Sequence, residues 1–305
     1  MDSVSHTMKN ILLAVAAAFV ALGCHAADRK IVIIAGKPSH PPLMHEYRAG
    51  ALLFAKCLAG FPGVKVDVHS NGWVSDESVF NDAAAVIFYS NGGKSHPLLE
   101  GNRLEVLGAL MRNGVGFSCL HFAVEPTPEK GEREFIDWLG GAFSPNYSVN
   151  PHWDADFVSL PWHPITQGVR PFKTNDEWYF HLRWVEGMKG VTPILTAIAP
   201  ESTMSRPDGH HSGNPAVRAS VAKKDPQHVA WAMIRADGGR SFGFTGGHNH
   251  LGWKHADQRK LVLNALLWVA KVEVPANGVE STVTDEDLLA NLDVKNAPKS
   301  KAARK

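Results

Sequence analysis

Apolar runs and amphipathic segments alternate through the first half of the chain. Four segments predict strands of a parallel sheet: Lys30–Ala35, Val64–Val68, Ala83–Tyr89 and Val115–Cys119. The first is a continuous apolar run, which is typical of a strand that is buried on both faces. Two segments between them have apolar residues at helical spacing: Glu46–Leu58 and, approximately, Leu98–Arg112. Because strands and helices alternate, the pattern predicts right-handed crossovers and a doubly wound α/β fold with a mainly parallel sheet.

The second half is less regular at first and then returns to the same pattern. Three segments predict strands that are separated by long loops: Asp156–Leu160, His181–Val185 and Pro193–Ile198. Two further strands and an amphipathic helix follow: Val229–Arg235, Ser241–Thr245 and Ala256–Lys271. We expect one domain over residues 28–272 and a polar tail over residues 273–305 that wraps this domain and then frays.

The first 26 residues predict an export signal. Lys9 supplies a positive charge, Ile11–Gly23 is an apolar stretch of 13 residues, and a cleavage site follows at Ala26. The apolar stretch is too short to span a bilayer, so no transmembrane segment is expected. Ala21–Cys24 also resembles a lipoprotein cleavage box. Two exported products therefore stay open: a soluble periplasmic or secreted protein, and a protein that is anchored through a lipid on Cys24.

Charge and composition narrow the function classes. The chain has 31 Lys and Arg against 30 Asp and Glu, and no basic run interleaves with aromatic residues, so nucleic acid is not an expected partner. Lys37-Pro38-Ser39 lacks the glycine spacing of a P-loop, and no nucleotide cofactor is expected. The unusual counts are 16 His and 9 Trp. Imidazoles bind metals and transfer protons, and indoles offer a flat face to sugar rings.

Histidines concentrate in four loops that leave the carboxyl ends of predicted strands. In an open α/β sheet the ligand crevice lies at that edge. The loops are Lys37–His45, Ser90–His96, Leu120–Pro126 and Gly246–His255. They contain seven histidines: His40, His45, His96, His121, His248, His250 and His255. We therefore expect several imidazoles to converge on one site.

His248 and His250 follow a Gly-Gly turn and are two residues apart. On extended backbone such residues point to the same side, and both can then reach one metal ion. The alternative is that one of them only caps the helix that begins near Ala256.

The segment Asp176-Glu177-Trp178-Tyr179 combines two carboxylates with two aromatic rings. A carboxylate beside an aromatic ring suits general acid–base catalysis, metal ligation or recognition of a sugar hydroxyl. A helix cap or a surface charge pair is the alternative. Asn150-Pro151-His152-Trp153 is a weaker motif of the same kind.

Cys119 and His121 lie where a strand enters a turn, which is the position of the nucleophile in amidotransferase-like folds. A thiolate at Cys119 can act as a nucleophile if a histidine lowers its pKa. The sequence around it lacks the glycine that lets such an elbow turn tightly, so a buried, inert cysteine is the favoured interpretation and His121 the stronger candidate.

Taken in order, these motifs resemble the ThuA-like (trehalose utilisation) family, a branch of the class I glutamine amidotransferase-like fold. The matching pieces are Gly36-Lys37-Pro38-Ser39-His40, His45-Glu46, Leu120-His121, His163-Pro164-Ile165, Asp176-Glu177-Trp178-Tyr179, Gly246-Gly247-His248 and Leu266-Leu267-Trp268. The resemblance implies a flavodoxin-like three-layer sandwich and a role in carbohydrate catabolism, alongside dehydrogenases that make keto-sugars. It also implies a shared polar site at His121, Glu177 and His248.

The first hypothesis is an exported enzyme that hydrolyses, eliminates or isomerises a glycoside or keto-sugar with a divalent zinc, manganese, iron or nickel ion. Its metal ligands would come from His121, His248, His250, His40 and His45. Its acid–base groups would be Glu177 or Asp176 with His121 and His248, and its sugar-binding residues Trp178, Tyr179, Trp153 and His152. Two rivals remain: a metal-free sugar-binding protein, and an amidase-like hydrolase that depends on Cys119.

Overall fold

A seven-stranded sheet forms the centre of the protein, in a computed structural model that describes residues 28–295. In spatial order its strands are β2 (Val64–His69), β1 (Arg29–Ala35), β3 (Ala83–Tyr89), β4 (Gly116–Leu120), β11 (Arg240–Phe244), β10 (Pro226–Ile234) and β9 (Val191–Ile198). The first five are parallel, and β10 is antiparallel to both of its neighbours. The predicted mainly parallel sheet is confirmed.

Helices cover both faces of this sheet. One face packs against α1 (Tyr47–Leu58) and α5 (Ala256–Val269), and the other against α2 (Arg103–Arg112) and α3 (Glu132–Leu139). Successive side chains of β1 alternate between the two cores, since Ile31 and Ile33 pack with the first pair of helices and Val32 and Ile34 with the second. A strand that is apolar at every position is thus buried on both sides, as a three-layer sandwich requires.

The irregular middle of the chain forms two small sheets and a helix. They are β5 (Gly141–Ala142) with β8 (Arg183–Trp184), β6 (Trp153–Phe157) with β7 (Phe172–Asp176), and α4 (Pro215–Ala222). The predicted strand Asp156–Leu160 is wrong in its bounds, because β6 buries Trp153, Ala155 and Phe157 on one face and ends there. Strand β7 was not predicted, since its interior positions are polar and mostly exposed.

The polar tail packs against the domain as far as Lys295. Its helix α6 (Asp285–Leu289) contributes the buried Leu288, and Val274 and Val279 join the core on the α5 side. The predicted signal peptide, its cleavage site and the last ten residues lie outside the described residues. No helix within residues 28–295 is long and apolar enough to cross a membrane.

Candidate metal centre

Three loops at the carboxyl edge of the sheet bring three histidines to one point. His45 lies in the loop between β1 and α1, His121 directly follows β4, and His248 lies in the loop after β11. Backbone hydrogen bonds fasten the first loop to the third, from the N–H of His45 to the carbonyl of His248 (3.0 Å) and from the N–H of His250 to the carbonyl of Leu43 (2.9 Å). The positions of His45 and His248 are therefore coupled through the backbone.

The ring nitrogens of these histidines form a small triangle. The Nε2 of His45 lies 2.9 Å from Nδ1 of His248 and 3.0 Å from Nε2 of His121, and the third side measures 3.3 Å. Glu177, the residue after β7, places Oε2 3.0 Å from Nδ1 of His248 and 3.6 Å from Nε2 of His121. All four ligand atoms lie within 4.8 Å of one another. Nitrogens bound tetrahedrally at about 2.0–2.1 Å from one ion would be about 3.3 Å apart, which is close to these distances.

Hydrogen-bond partners indicate which nitrogen of each ring carries its proton. Nδ1 of His121 lies 2.8 Å from the carbonyl oxygen of Thr245 and must donate to it, which leaves Nε2 with a lone pair. Nδ1 of His45 lies 2.6 Å from the hydroxyl of Tyr47, which also lies 3.1 Å from Oδ1 of Asn91, so Nδ1 carries the proton when that hydroxyl donates to Asn91. The two Nε2 atoms then face each other with lone pairs at 3.0 Å, an arrangement that a cation between them would satisfy.

Burial keeps the rings of His121 and His45 neutral. Burial lowers the pKa of His121 to about 3, and outweighs the attraction of the nearby Glu177 carboxylate. Burial, followed by the neighbouring His121, lowers the pKa of His45 well below its ordinary range. Neutral imidazole is the form that binds a metal ion, so no proton has to leave either ring on binding.

Two of the three histidines have left-handed backbone. The φ angles are 56° at His121 and 49° at His45, a region that costs a non-glycine residue about 1–3 kcal/mol. Such strain persists only where the surrounding structure holds it, and it clusters at functional sites. His121 is thus the residue at the turn that directly follows β4, where the sequence analysis placed the nucleophile of amidotransferase-like folds.

Cys119 does not stand at that turn, contrary to the sequence prediction. It lies inside β4, fully buried in the core on the α2 side, and burial raises the pKa of its thiol well above the ordinary range. The structure therefore gives no support to a thiolate nucleophile at Cys119, and agrees with the buried, inert alternative.

We expect iodoacetamide to leave Cys119 unmodified in the folded protein. Cys57 is only partly buried and serves as the internal comparison, although burial also raises the pKa of its thiol. Peptide mass spectrometry after timed alkylation should find label on Cys57 first and on Cys119 only after denaturation. Early labelling of Cys119 with loss of activity would instead support the hypothesis of a hydrolase that depends on this thiol.

Asp176 lies beside the site but faces away from the histidines. Its carboxylate accepts hydrogen bonds from the N–H groups of Gly247 (2.7 Å), Glu177 (2.8 Å) and Asn249 (3.2 Å). Burial raises the pKa of Asp176, and these three bonds oppose that shift. The side chain ties the end of β7 to the loop of His248, and so positions both Glu177 and His248.

The four predicted sugar-binding residues divide into two groups. Trp178 and Trp153 are buried, and their indole N–H groups donate to the carbonyls of Thr174 and Trp178, so neither ring is free to stack on a sugar. The hydroxyl of Tyr179 lies 3.3 Å from Nε2 of His121, and the half-exposed His152 has Nε2 4.0 Å from Oε1 of Glu177. Only the second pair reaches the site.

Two histidines proposed as ligands lie outside the group. His40 is exposed, and its ring stacks on that of His45 with centroids 3.6 Å apart. His250 begins a 3-10 turn (His250–Lys254), so the expected extended backbone is absent, and its Nε2 instead donates to the carbonyl of Leu288 at 2.9 Å. The cap of α5 is His255, whose Nδ1 accepts the N–H of Gln258.

His96 also lies away from the metal group. It is buried, its Nδ1 accepts the N–H of Leu98 (3.1 Å), and its Nε2 donates to the carbonyl of Ala123 (3.1 Å). Both nitrogens of the neutral ring are thus satisfied. Burial lowers the pKa of His96 to about 3. A second proton, on Nδ1, would also have no acceptor.

We expect His96 to make the folded state less stable in acid. Its folded pKa is below the unfolded value of 6.5, so its contribution is complete above pH 6.5 and falls as the pH drops towards 3. This residue alone should account for a loss of about 2 kcal/mol in the free energy of unfolding between roughly pH 7.5 and 5. Urea unfolding of the wild type and of His96→Gln between roughly pH 7.5 and 5 measures this loss. Parallel curves for the two proteins would contradict the assignment.

Sequence reasoning included Asn150 in a weak motif and missed two further polar partners of the site, Tyr47 and Asn91. Asn150 donates from Nδ2 to Oε1 of Glu177 at 3.1 Å and leaves Oε2 directed at the histidines. Tyr47 and Asn91 form the hydrogen-bond chain behind His45. The pattern indicates an ordinary buried position for Tyr47 at the start of α1. Only its place two residues after His45 suggests the contact of its hydroxyl with that ring.

Comparison with known proteins gives a consistent family and fold. The family model ThuA, described as trehalose utilisation, matches residues 38–269. A ThuA-like protein from Bacteroides uniformis has 17% sequence identity and a TM-score of 0.56, over 82% of this chain and 95% of its own. One from Parabacteroides merdae has 16% identity and a TM-score of 0.54, over 85% and 94%. A glutamine amido transferase from Methylobacillus flagellatus matches with 8% identity and a TM-score of 0.40, over 90% and 99%. Among curated proteins, none matches the chain significantly.

Proposed function

Because the chain belongs to the ThuA family of trehalose utilisation, we propose that it is a metal-dependent enzyme that hydrolyses, eliminates or isomerises glycosides or keto-sugars. One observation carries the proposal. The Nε2 atoms of two buried imidazoles, both with lowered pKa values, lie 3.0 Å apart, with a third imidazole and a carboxylate beside them. A site of this kind suits a divalent cation better than it suits a sugar hydroxyl.

The donor set fits several metal ions. Three imidazoles and one carboxylate, His45, His121, His248 and Glu177, suit zinc and equally manganese, iron or nickel. A bound divalent ion would polarise a sugar carbonyl or lower the pKa of a bound water. Thr245 fixes the tautomer of His121 through its carbonyl oxygen, and the hydroxyl of Tyr47 holds the ring of His45 through Nδ1.

The chain's own polar groups can orient a sugar at this site. Glu177 is mostly buried, and its Oε1 faces Asn150 and the half-exposed His152. Burial opposes ionisation of Glu177, but its hydrogen bond with His248 and the nearby His121 lower its pKa below the ordinary value. A carboxylate that stays ionised near neutral pH can accept a sugar hydroxyl or act as a base. Tyr179 adds a hydroxyl beside His121.

The test is turnover with and without metal. Protein purified without chelator or polyhistidine tag is assayed on a panel of glycosides and their keto derivatives, then stripped with chelator and reloaded one metal at a time. We expect product that disappears on stripping and returns with at least one ion. Equal turnover before and after stripping would overturn the metal assignment. Saturable sugar binding without turnover would identify the sugar-binding protein instead.

We further propose that the enzyme acts outside the cytoplasm, on the evidence of the export signal predicted over residues 1–26. Fractionation of cells that express the full chain tests this. Recovery of the wild type in membranes and of Cys24→Ala in the soluble periplasm would identify the lipid-anchored form. Recovery of both in the cytoplasm would overturn export.

A further inference from the structure

A second imidazole–carboxylate pair lies beside the candidate metal centre, formed by Glu125 and His211. Glu125 follows the turn that carries His121, and His211 comes from the loop between β9 and α4, more than 80 residues further along the chain. Nε2 of His211 lies 3.1 Å from Oε1 of Glu125. The Glu125 side chain is only 4% exposed and that of His211 is 24% exposed, so the carboxylate is buried and the imidazole reaches solvent.

This pair adjoins the metal centre through two sets of contacts. The ring of His211 packs on Phe143 (5.1 Å between centroids), Phe143 packs on Tyr179 (5.1 Å), and Tyr179 packs on His121 (4.8 Å). Glu125 is also close enough to Tyr179 to add, after burial and Glu177, to the rise in the pKa of that phenol. The pair thus shares the Tyr179 side of the site.

The second set of contacts runs through Asn150. The backbone N–H of Asn150 donates to the carbonyl of His211 (3.2 Å), and Arg206 donates to that carbonyl (2.9 Å) and to Oδ1 of Asn150 (2.8 Å). The amide of Asn150 in turn donates to Glu177. The loop that carries His211 therefore also fixes the carboxylate of the candidate metal centre.

The backbone of His211 is held in a strained conformation. Its φ of 64° lies in the left-handed region, as at His121 and His45. Its N–H donates to the carbonyl of Pro145 at 2.8 Å, while its carbonyl accepts the two bonds from Asn150 and Arg206. Strain that the surroundings hold this firmly is typical of residues whose position matters for function.

The hydrogen bond to Glu125 leaves the other ring nitrogen of His211 free to react. Because Nε2 faces a carboxylate, Nε2 carries the proton and Nδ1 keeps the lone pair. Nδ1 has no hydrogen-bond partner among residues 28–295. Glu125 also lines a cavity of about 430 Å³ with Lys94 and His210, and this cavity can accommodate a sugar ring. His211 borders it through His210, whose ring stacks on that of His211 with centroids 4.1 Å apart. A buried carboxylate behind an imidazole holds its tautomer and stabilises the imidazolium.

We propose that His211, oriented by Glu125, is the group that exchanges a proton with the sugar bound at the metal centre. Nδ1 takes the proton of a sugar hydroxyl or of a water: the O–H bond breaks, its electron pair stays on oxygen, and an N–H bond forms. The Glu125 carboxylate at Nε2 stabilises the imidazolium. The inference rests on the proposed function, because it needs a sugar substrate at this site.

The test compares His211→Asn with the wild type. Asparagine tolerates the left-handed backbone, so the loop should keep its conformation. We expect kcat to fall by about 10²–10⁴-fold with metal content unchanged, and Glu125→Gln to lower kcat by at least about tenfold. Exogenous imidazole should restore part of the activity of His211→Gly, which a merely structural role would not allow.

His181→Asn is the matched control. His181 also has left-handed backbone (φ 58°), but its Nδ1 bonds to the carbonyl of Tyr147, so we expect wild-type turnover. Full activity of metal-loaded His211→Asn, or an activity loss in Glu125→Gln that is matched by a loss of metal, would overturn the inference and leave the proposed function standing. Absence of turnover in the wild type would overturn both.

Discussion

His121→Asn should bind no metal and should lose at least about 10³-fold in turnover. The wild-type ring contributes the lone pair of Nε2, because Nδ1 donates to Thr245, and the asparagine side chain is too short to reach the same point. Asparagine is preferable to alanine here, because φ is 56° at this position and asparagine adopts left-handed backbone readily. The substitution thus removes the ligand with little added backbone strain.

Metal content and thermal stability measure the effect. Mass spectrometry should find close to one equivalent of metal in the wild type and a small fraction of that in His121→Asn. Added metal at about 100 times its dissociation constant should stabilise the wild type by about 2.7 kcal/mol and leave the variant unchanged. His228→Asn removes a histidine that bonds to Thr196 on the β9–β10 pair, and should keep its metal.

The metal-free proteins provide an independent check. If the two Nε2 atoms face each other with lone pairs at 3.0 Å, they destabilise the metal-free site, and metal-free His121→Asn should then be at least as stable as the metal-free wild type. A large loss of stability in the metal-free variant would mean that the three imidazoles form a structural hydrogen-bond network. Unchanged metal content in the variant would contradict the assignment of His121 and its neighbours as a metal centre.

The fold and part of the site follow from local sequence pattern. Apolar runs such as Lys30–Ala35 favour strands of a sheet covered on both faces, and the loops at the carboxyl ends of parallel strands share one edge. His45, His121 and His248 follow from that rule. His250 does not, because the rule assumes extended backbone and the chain turns into a 3-10 helix there.

The choice between Asp176 and Glu177 could not be made from sequence. Both residues stand at the end of β7, and adjacent residues point to opposite sides. Which side faces the histidines depends on the backbone N–H groups of Gly247 and Asn249, which bind Asp176 and come from a loop about 70 residues away. The sequence favours an exposed loop for His211, among Pro, Asp and Gly residues, and does not indicate its contact with Glu125, which lies 86 residues earlier in the chain.

Lys295→Met should lower the free energy of unfolding by about 3–5 kcal/mol. Nζ of Lys295 lies 3.0 Å from Oε1 of Glu46, and the two side chains are 5% and 1% exposed. Removing the lysine leaves a buried carboxylate without its counter-ion, which costs more than the pair itself contributes. The same Nζ donates to the carbonyls of Met44 and His45, and the N–H of Asp293 donates to Oε2 of Glu46.

Urea unfolding of metal-free protein measures this loss, and Lys254→Met is the matched control. The ion pair of Lys254 with Asp285 also ties the tail to the domain but is exposed, so its loss should cost less than about 1 kcal/mol. In a double-mutant cycle, Glu46→Gln should recover part of the cost of Lys295→Met, since no buried charge is then left alone. Equal losses for Lys295→Met and Lys254→Met would contradict the argument.

Metal affinity should fall with stability in Lys295→Met but not in Lys254→Met. Lys295 holds the carbonyl of His45, whose left-handed backbone carries a ring of the candidate metal centre, and indirect support of this kind is worth about 10–100-fold in affinity. Titration of metal into each variant under conditions where both are folded separates this effect from unfolding. Unchanged affinity in Lys295→Met would restrict the C-terminal segment to a stabilising role.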